Sequence, residues 1–474
     1  MFTFKKSILA ILGLIAVTSV ALAYMESRTG VMTGTSPIPV NGNDGPVSVE
    51  VQSTQSKILM GSDGMVSVAV GMTARKLPDM PDQPIQPVDL VVVLDRSGSM
   101  DGAKIDDARK AIVGLIDRLS IEDRFALVTY SNDVQTISRL VGLENDQRSR
   151  LVRAVEHIQA QGGTNLGGGL RRGIDTLLET PASGRQRKVI LISDGLANQG
   201  ITDPEALGQM AAAAVEHNFA VSTVGVGYDF NEVLMTTIAD HGAGRYYFLE
   251  DPQAFARVFD DEFQTARKVV ASGLELRIPV SGDIRLIRAG GYPVTHQNGM
   301  AVLHPGDLMS GQTRKLFLTF QVPSDQQREF SFGSMQVSYQ YNGADKSLKR
   351  PFDVTLACVP DPVEVAASVD KHTWTEKILQ EDYSRLQEDV ADAIRKGEKE
   401  AAQRRIQEYE TRTRDLNASV GSAAVAENLN DEVQVLRQSV EETFSGAPAA
   451  VEAKRKQNAK TLQYESYKVG RGKK

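Results

Sequence analysis

The sequence predicts an α/β doubly wound domain, inserted in or flanked by a β-sandwich and followed by a C-terminal antiparallel helical bundle. Three observations point there. Between Val88 and Val269, apolar runs of strand length alternate with stretches whose apolar residues recur every three or four positions. From Gly273 to Cys358 the period changes to two, and from Asp361 the composition turns charged and helical. With 474 residues and 41% hydrophobic content, the chain can bury a sizeable core divided among several domains.

Taken in order, Lys5 and Lys6 precede an apolar run from Ser7 to Leu22, and Ala21-Leu22-Ala23 offers small residues where a signal peptidase reads. Residues 1–23 are therefore expected to be a signal peptide cleaved after Ala23, which places the protein outside the cytoplasm, in the periplasm or cell envelope or secreted. The rival is an uncleaved membrane anchor, since about 18 apolar residues can span a bilayer. Residues 24–46, rich in Gly, Ser, Thr, Pro and Asn, read as a flexible linker. Val47, Val49 and Val51, then Val66, Val68, Val70 and Met72, alternate like half-buried strands that need partners elsewhere. Pro78, Pro81, Pro84 and Pro87 punctuate a linker, so residues 47–87 form strands of a split β-sandwich plus that linker.

Residues 88–268 carry the chemistry. Val91 to Leu94 reads as a buried strand ending in Asp95-Arg96-Ser97-Gly98-Ser99. A carboxylate followed at two-residue intervals by two hydroxyls suits a hard, oxygen-preferring cation. The same letters also suit an ordinary strand-to-helix turn with a Ser N-cap. Two later signals favour the cation: Gly162-Gly163-Thr164-Asn165 sets a Thr in a loop before a helix, and Val189 to Ser193 is a second buried strand ending in Asp194-Gly195. Helical stripes are expected over Ala103 to Leu119, Leu151 to Ile158, Leu170 to Leu178, Pro204 to His217, Phe230 to Ala239 and Ala254 to Val269. Strands are expected over Phe125 to Tyr130, Phe219 to Val226 and Tyr246 to Leu249. Such alternation winds into a largely parallel sheet that binds ligands at its C-terminal edge, where Asp95 and Asp194 fall.

In this arrangement the segment from about Val88 to Ala266 resembles the von Willebrand factor type A (vWA) domain, a Rossmann-like fold. Asp95, Ser97, Ser99, Thr164 and Asp194 match that family's metal-ion-dependent adhesion site (MIDAS) without a substitution. The resemblance implies that Ser97 and Ser99 ligate Mg²⁺ (or Mn²⁺ or Ca²⁺) directly, that Thr164 does so in one state, and that Asp95 and Asp194 act largely through water. It implies a protein partner whose Asp or Glu fills the remaining coordination position. In adhesive members, movement of the last helix, matched here by Ala254 to Val269, is coupled to the metal.

Residues 269–360 read as the β-sandwich: Leu274, Leu276, Ile278 and Val280; Leu316, Leu318, Phe320 and Val322; Val337, Tyr339 and Tyr341; and Phe352, Val354, Leu356 and Cys358. The strands before the vWA segment are expected to complete it. This layout is similar to that of bacterial exported vWA proteins and, more distantly, of inter-alpha-trypsin inhibitor heavy chains. Residues 361–446 read as a helical bundle on the stripes Leu379, Tyr383, Leu386, Val390, Ile394; Ile406, Tyr409, Thr413, Leu416; and Val425, Leu429, Val433, Leu436, Val440, Phe444, with Gly397 and Gly421 at the turns. A coiled-coil oligomerisation face is the alternative. The basic tail, 447–474, is expected to be solvated and disordered, with association to an anionic membrane or cell-wall polymer as the other reading.

A net charge of -7 gives no electrostatic footprint for nucleic acid. A single cysteine, Cys358, excludes an internal disulfide and Cys-based metal clusters. The chain has no His-Glu-x-x-His and no nucleophile elbow, and His157, His217, His241, His296, His304 and His372 are scattered, so an enzyme such as a metal hydrolase is not expected. Gly167-Gly168-Gly169 lacks a following Walker lysine and reads as shaping the Thr164 turn. The sequence thus predicts an exported, metal-dependent protein-binding module. The alternative is an envelope scaffold or co-chaperone-like assembly factor working with an AAA+ ATPase or a membrane partner; export argues against the ATPase, which stays with its nucleotide inside.

Overall fold

Val88–Asp95 is buried at all eight positions, as a strand covered on both faces must be, and this strand, β4, is the centre of the molecule. The computed structural model describes residues 45–77, 86–181, 184–280, 282–352 and 354–471. The expected signal peptide, most of the first linker, and Pro78, Pro81 and Pro84 lie outside them. Before β4 come β1 (Val47–Ser53), β2 (Lys57–Leu59) and β3 (Met65–Ala74). After it run α1 (Ala103–Arg118), β5 (Arg124–Tyr130), β6 (Val134–Gly142), α2 (Asn145–Glu156), α3 (Leu166–Leu178), β7 (Gln186–Ser193), α4 (Pro204–Glu216), β8 (Ala220–Val226), α5 (Glu232–His241), β9 (Ala243–Leu249) and α6 (Phe255–Arg267).

These strands form one sheet in the order β6-β5-β4-β7-β8-β9, parallel except for β6. The chain builds outward from β4 to β5 and β6 on one side, then returns to β7 on the other, so the topological switch lies between β4 and β7. One face packs on α1, α2 and α6 through Ile105, Ile112, Leu115, Phe255 and Phe259; the other packs on α3, α4 and α5 through Leu170, Ile174, Leu207 and Leu234. Strand β6 has no counterpart in the expectations, because as an edge strand it exposes four of its nine residues and carries no buried run. Helix α2 starts six residues before the expected Leu151, at a polar first turn that an apolar stripe does not mark.

The remaining strands are β10 (Val269–Pro279), β11 (Arg285–Ala289), β12 (Thr295–Gln297), β13 (Met300–Leu303), β14 (Leu308–Met309), β15 (Thr313–Gln321), β16 (Arg328–Ser331), β17 (Ser334–Tyr341), β18 (Ala344–Pro351) and β19 (Thr355–Val359). A four-stranded sheet runs β1-β3-β15-β11, with Val70 opposite both Val51 and Leu316. Strands before and after the α/β unit therefore share one sheet. A second sheet, β12-β13-β10-β17-β18, contributes Leu274, Leu276, Ile278 and Val337 to the same buried cluster as Val68, Val70 and Phe320. One pairing in this region is parallel, at the strand that carries Cys358. That strand, β19, pairs antiparallel with β16 but parallel with β2, in a separate three-stranded sheet. Only the non-local partner determines that direction; the alternating pattern of β19 suits either. Cys358 itself is fully buried.

The C-terminal region consists of α7 (Pro362–Ala367), α8 (Lys371–Lys377), a π-helical turn at Ile378–Asp382, α9 (Tyr383–Lys396), α10 (Lys399–Val420), α11 (Ala423–Asn430), α12 (Glu432–Thr443) and α13 (Pro448–Gly470). Gly397 and Gly421 end α9 and α10 in the left-handed conformation, at φ 80° and 70°, which a residue with a Cβ adopts at a cost. Leu386, Val390, Ile394, Ile406, Val433, Leu436 and Val440 pack into one cluster, whereas Leu416 of the expected stripe is exposed.

The disordered tail is corrected outright: 448–470 is a 23-residue helix. Its Ala459 and Leu462 pack into the helical cluster, while Tyr467 enters the core of the α/β unit. Buried on two sides, α13 shows no single apolar stripe, and its lysines gave it the look of a solvated segment. No helix among the described residues is long and apolar enough to cross a membrane.

Candidate functional site

The ends of β4 and β7 place Asp95, Ser97, Ser99 and Asp194 at one edge, and the loop before α3 adds Thr164. Parallel pairing sets Leu94 beside Ile192, so Asp95 and Asp194 emerge at the sheet's C-terminal edge at the switch point, where doubly wound sheets bind ligands. Asp95 is fully buried. Its Oδ1 accepts the backbone N–H of Ser97 at 2.8 Å, which closes the turn, and its Oδ2 accepts the Ser193 hydroxyl at 2.8 Å. Burial pushes its carboxyl up to about 6 against the opposing pull of these hydrogen bonds, with Asp194 adding to the rise.

Two serines and a threonine face the same spot. Ser97 Oγ lies 3.0 Å from Ser99 Oγ, and the Ser99 hydroxyl donates to Asp194 Oδ1 at 2.7 Å. The Gly98 N–H donates to the Gly162 carbonyl at 3.0 Å, tying this turn to the Thr164 loop. That loop is tied in turn to the one after Asp194: Thr164 N–H donates to Asn198 Oδ1 at 2.9 Å and Asn198 N–H to the Thr164 carbonyl at 3.1 Å. A Cβ on Gly195 would stand 3.2 Å from Ser99 Oγ and 3.7 Å from Thr164 Oγ1, so a glycine there keeps the space between the hydroxyls clear.

The triple glycine lies at a helix start beside the Thr164 loop. Gly167, Gly168 and Gly169 lie in the first turn of α3, capped by Asn165 Oδ1 accepting from the Gly168 N–H at 3.0 Å. A Cβ on Gly169 would come within 2.5 Å of the Tyr130 ring, so this glycine lets α3 press against the sheet, while Gly168 leaves room for the Asn165 side chain. Tyr130 floors the site, with its hydroxyl donating to the Ile192 carbonyl at 2.8 Å and burial raising its pKa.

Sequence reasoning overlooked four participants. Ser193 was read as the end of a strand, although a hydroxyl in an otherwise apolar run is a signal. Lys104 places its ammonium 2.5 Å from Asp194 Oδ2. Asn198 and Asn132 brace the Thr164 loop, Asn132 by accepting from the Gly163 N–H at 2.6 Å. Among the described residues no group of three or more His, Cys, Asp or Glu side chains is placed to hold a metal. A cation at this edge would depend on hydroxyl oxygens.

A doubly wound sheet with hydroxyl-bearing loops at its switch point is the architecture of the von Willebrand factor type A domain, and residues 89–261 match that family's model. The chain thus contains a vWA domain. Among curated proteins, sll0103 of Synechocystis sp. is 26% identical over 287 residues, covering 57% of this chain and 66% of that protein. YfbK of Escherichia coli is 29% identical over 196 residues, 40% of this chain and 33% of YfbK. Human inter-alpha-trypsin inhibitor heavy chain H4 is 27% identical over 264 residues, 51% of this chain and 28% of the heavy chain. The chain spans at most 66% of the length of these three relatives.

Two solved structures share the fold over most of the molecule. A von Willebrand factor type A protein from Catenulispora acidiphila aligns with a TM-score of 0.65 at 19% identity, over 89% of this chain and 96% of its own. The ArnB paralog VWA2 from Sulfolobus acidocaldarius aligns at 0.51 and 18% identity, over 88% and 98%.

Proposed function

We propose that Asp95, Ser97, Ser99, Thr164 and Asp194 hold a divalent cation, Mg²⁺ or alternatively Mn²⁺ or Ca²⁺, and that the protein is an exported module gripping the Asp or Glu of a partner protein through it. The observation that supports this reading is a linked set of oxygens: Asp95 bonded to the Ser97 turn, Ser97 Oγ beside Ser99 Oγ, Ser99 bonded to Asp194, and the Ser99 and Thr164 hydroxyls both near Gly195. The donor set fits a hard cation: every candidate ligand is oxygen, and a side chain at position 195 would crowd the Ser99 hydroxyl. Ser97, Ser99 and Thr164 would ligate directly. Asp95 and Asp194, each already engaged by a hydroxyl, would orient those hydroxyls and bound water. When bound, the cation supplies an electrophilic position for a carboxylate, because neutral hydroxyls offset little of its charge.

The site reads as binding rather than catalytic. Its carboxylates are occupied by Ser97, Ser193, Ser99 and Lys104, which leaves none of them poised as a general base. The test is a pull-down from the host's envelope fraction with the mature chain in Mg²⁺, in chelator, and with Asp95→Ala in Mg²⁺. A protein retained only by the first sample is the expected result. Identical retention in all three would overturn the reading. Export is tested separately by intact-mass analysis of protein from the native host, where a mature chain beginning at Tyr24 is expected.

A further inference from the structure

Lys104 stands in the first turn of α1, two residues after the N-cap Gly102, whose φ is 80°. Its ammonium donates to Asp194 Oδ2 at 2.5 Å and to the Ser99 carbonyl at 3.2 Å. The Asp194 side chain has no exposure, whereas that of Lys104 retains 27%. The loop after β8 leaves it room, since a Cβ on Gly227 would stand 3.6 Å from Lys104 Cε. One cation thus touches the same carboxylate that accepts from Ser99.

We propose that Lys104 is a positioning residue that tunes the site, lowering its affinity for a divalent cation while raising the loaded site's affinity for a carboxylate. This rests on the cation-binding reading above. With Asp95 and Asp194 ionised and Lys104 protonated, the site carries a single net negative charge. A divalent ion makes it net positive by one; without Lys104 the loaded site would be neutral. The ammonium therefore repels the incoming metal and attracts the incoming partner, two effects of opposite sign from one charge. It also fixes Asp194, which alone would be an uncompensated buried carboxylate.

The experiment uses the full mature chain and its Lys104→Met and Lys104→Arg variants, with Mn²⁺ alone as first probe and acetate added to the Mn²⁺-loaded protein as second. Free Mn²⁺ is read by electron paramagnetic resonance, and acetate displacement of bound water by proton relaxation. Lys104→Met is expected to bind Mn²⁺ about tenfold tighter and to require several-fold more acetate, while Lys104→Arg matches the wild type. Unchanged or weaker Mn²⁺ binding by a Lys104→Met protein with wild-type circular dichroism would overturn the proposal and leave the cation site standing. No Mn²⁺ binding by the wild type would overturn both. Should Lys104→Met fail to fold, Lys104→Gln, which keeps a donor to Asp194 without the charge, takes its place with the same expected and overturning results.

Discussion

Two regions of the vWA domain that bury carboxylates satisfy them differently. At the C-terminal edge of the sheet, Asp95 is met by a backbone N–H and the Ser193 hydroxyl, and its carboxyl rises to about 6. On the flank where α13 docks, Glu232 is also buried, but Lys460 Nζ and Arg395 Nε each lie 2.6 Å away. Burial pushes Glu232 up, yet Lys460 and Arg395 outweigh it and hold the carboxyl below its usual range. At the other end of α5, Arg471 grips Asp240 with both ends of its guanidinium, the closer contact at 2.6 Å, and donates to the Gly290 carbonyl at 3.1 Å. On this flank the chain supplies its own cations, the buried Lys460 and Arg471 and the partly exposed Arg395. At the candidate site it supplies neutral donors and one half-buried lysine, an arrangement in which an added cation gains most.

The largest effect is expected on the flank. Arg471→Met leaves Asp240 buried without its partner, and a loss of about 3–5 kcal/mol is expected in urea denaturation. The same change would loosen Tyr467, whose hydroxyl accepts the edge-strand N–H of Tyr246 at 3.0 Å and whose ring meets that of Tyr246 edge-on. A loss under about 1 kcal/mol would mean that α13 lies on the domain without strapping it.

At the site the expected effect is smaller and needs an addition rather than a deletion. Mg²⁺ at ten to a hundred times its dissociation constant should stabilise the wild type by about 1.4–2.7 kcal/mol. Asp95→Asn should lose that increment while Arg471→Met keeps it. Equal Mg²⁺ stabilisation of Asp95→Asn and wild type would erase the distinction between the two regions.

How much of this was legible in the sequence divides along the same line. Asp95, Ser97, Ser99, Thr164 and Asp194 sit at strand ends or in glycine-marked loops, where local chemistry and chain order suffice to align them. Helix α13 was not legible, because what decides its fate is Glu232, Asp240 and Tyr246, more than two hundred residues away. Without those partners, Lys460 and Arg471 read as solvated charges. Lys104 fell between the two cases: it is one turn from Ser99, but a lysine at a helix start is ordinary, and only the position of Asp194 gives it meaning. Helix α6 was expected on its apolar stripe, yet the stripe did not reveal Glu262 at its centre. That residue is fully buried and binds Lys188 at 2.7 Å, the Tyr247 hydroxyl at 2.6 Å and the Ser222 hydroxyl at 3.0 Å. Any slide of α6 along its axis must break this set.

Acid sharpens the contrast further. Because Glu232 has a lowered folded-state pKa, the stability it contributes is present above its unfolded value near 4.5 and is lost as pH falls through the folded value. Glu232→Gln should therefore cost about 1–2 kcal/mol at pH 7, and its stability should converge on that of the wild type as pH falls through the lowered folded value of Glu232. A difference that persists unchanged to pH 3 would assign the loss to packing rather than to charge.

Glu381 provides the most discriminating, if smallest, comparison. It lies in the π-helical turn against β15, and burial pushes its carboxyl up to about 7, with Asp382 adding and Lys377 opposing. Its folded state therefore holds a proton more firmly than the unfolded chain, so stability falls as pH rises from about 4.5 to about 7 and stays lower above. Glu381→Gln removes that loss and should gain about 1 kcal/mol at pH 8 and almost nothing at pH 4. Like Asp95, Glu381 is a carboxylate raised by desolvation, but no set of hydroxyls converges on it. An unaltered Mg²⁺ response in Glu381→Gln would show that a raised carboxylate does not make a cation site by itself. The three hydroxyls at the switch point would then be what separates Asp95 from the other buried acids of the chain.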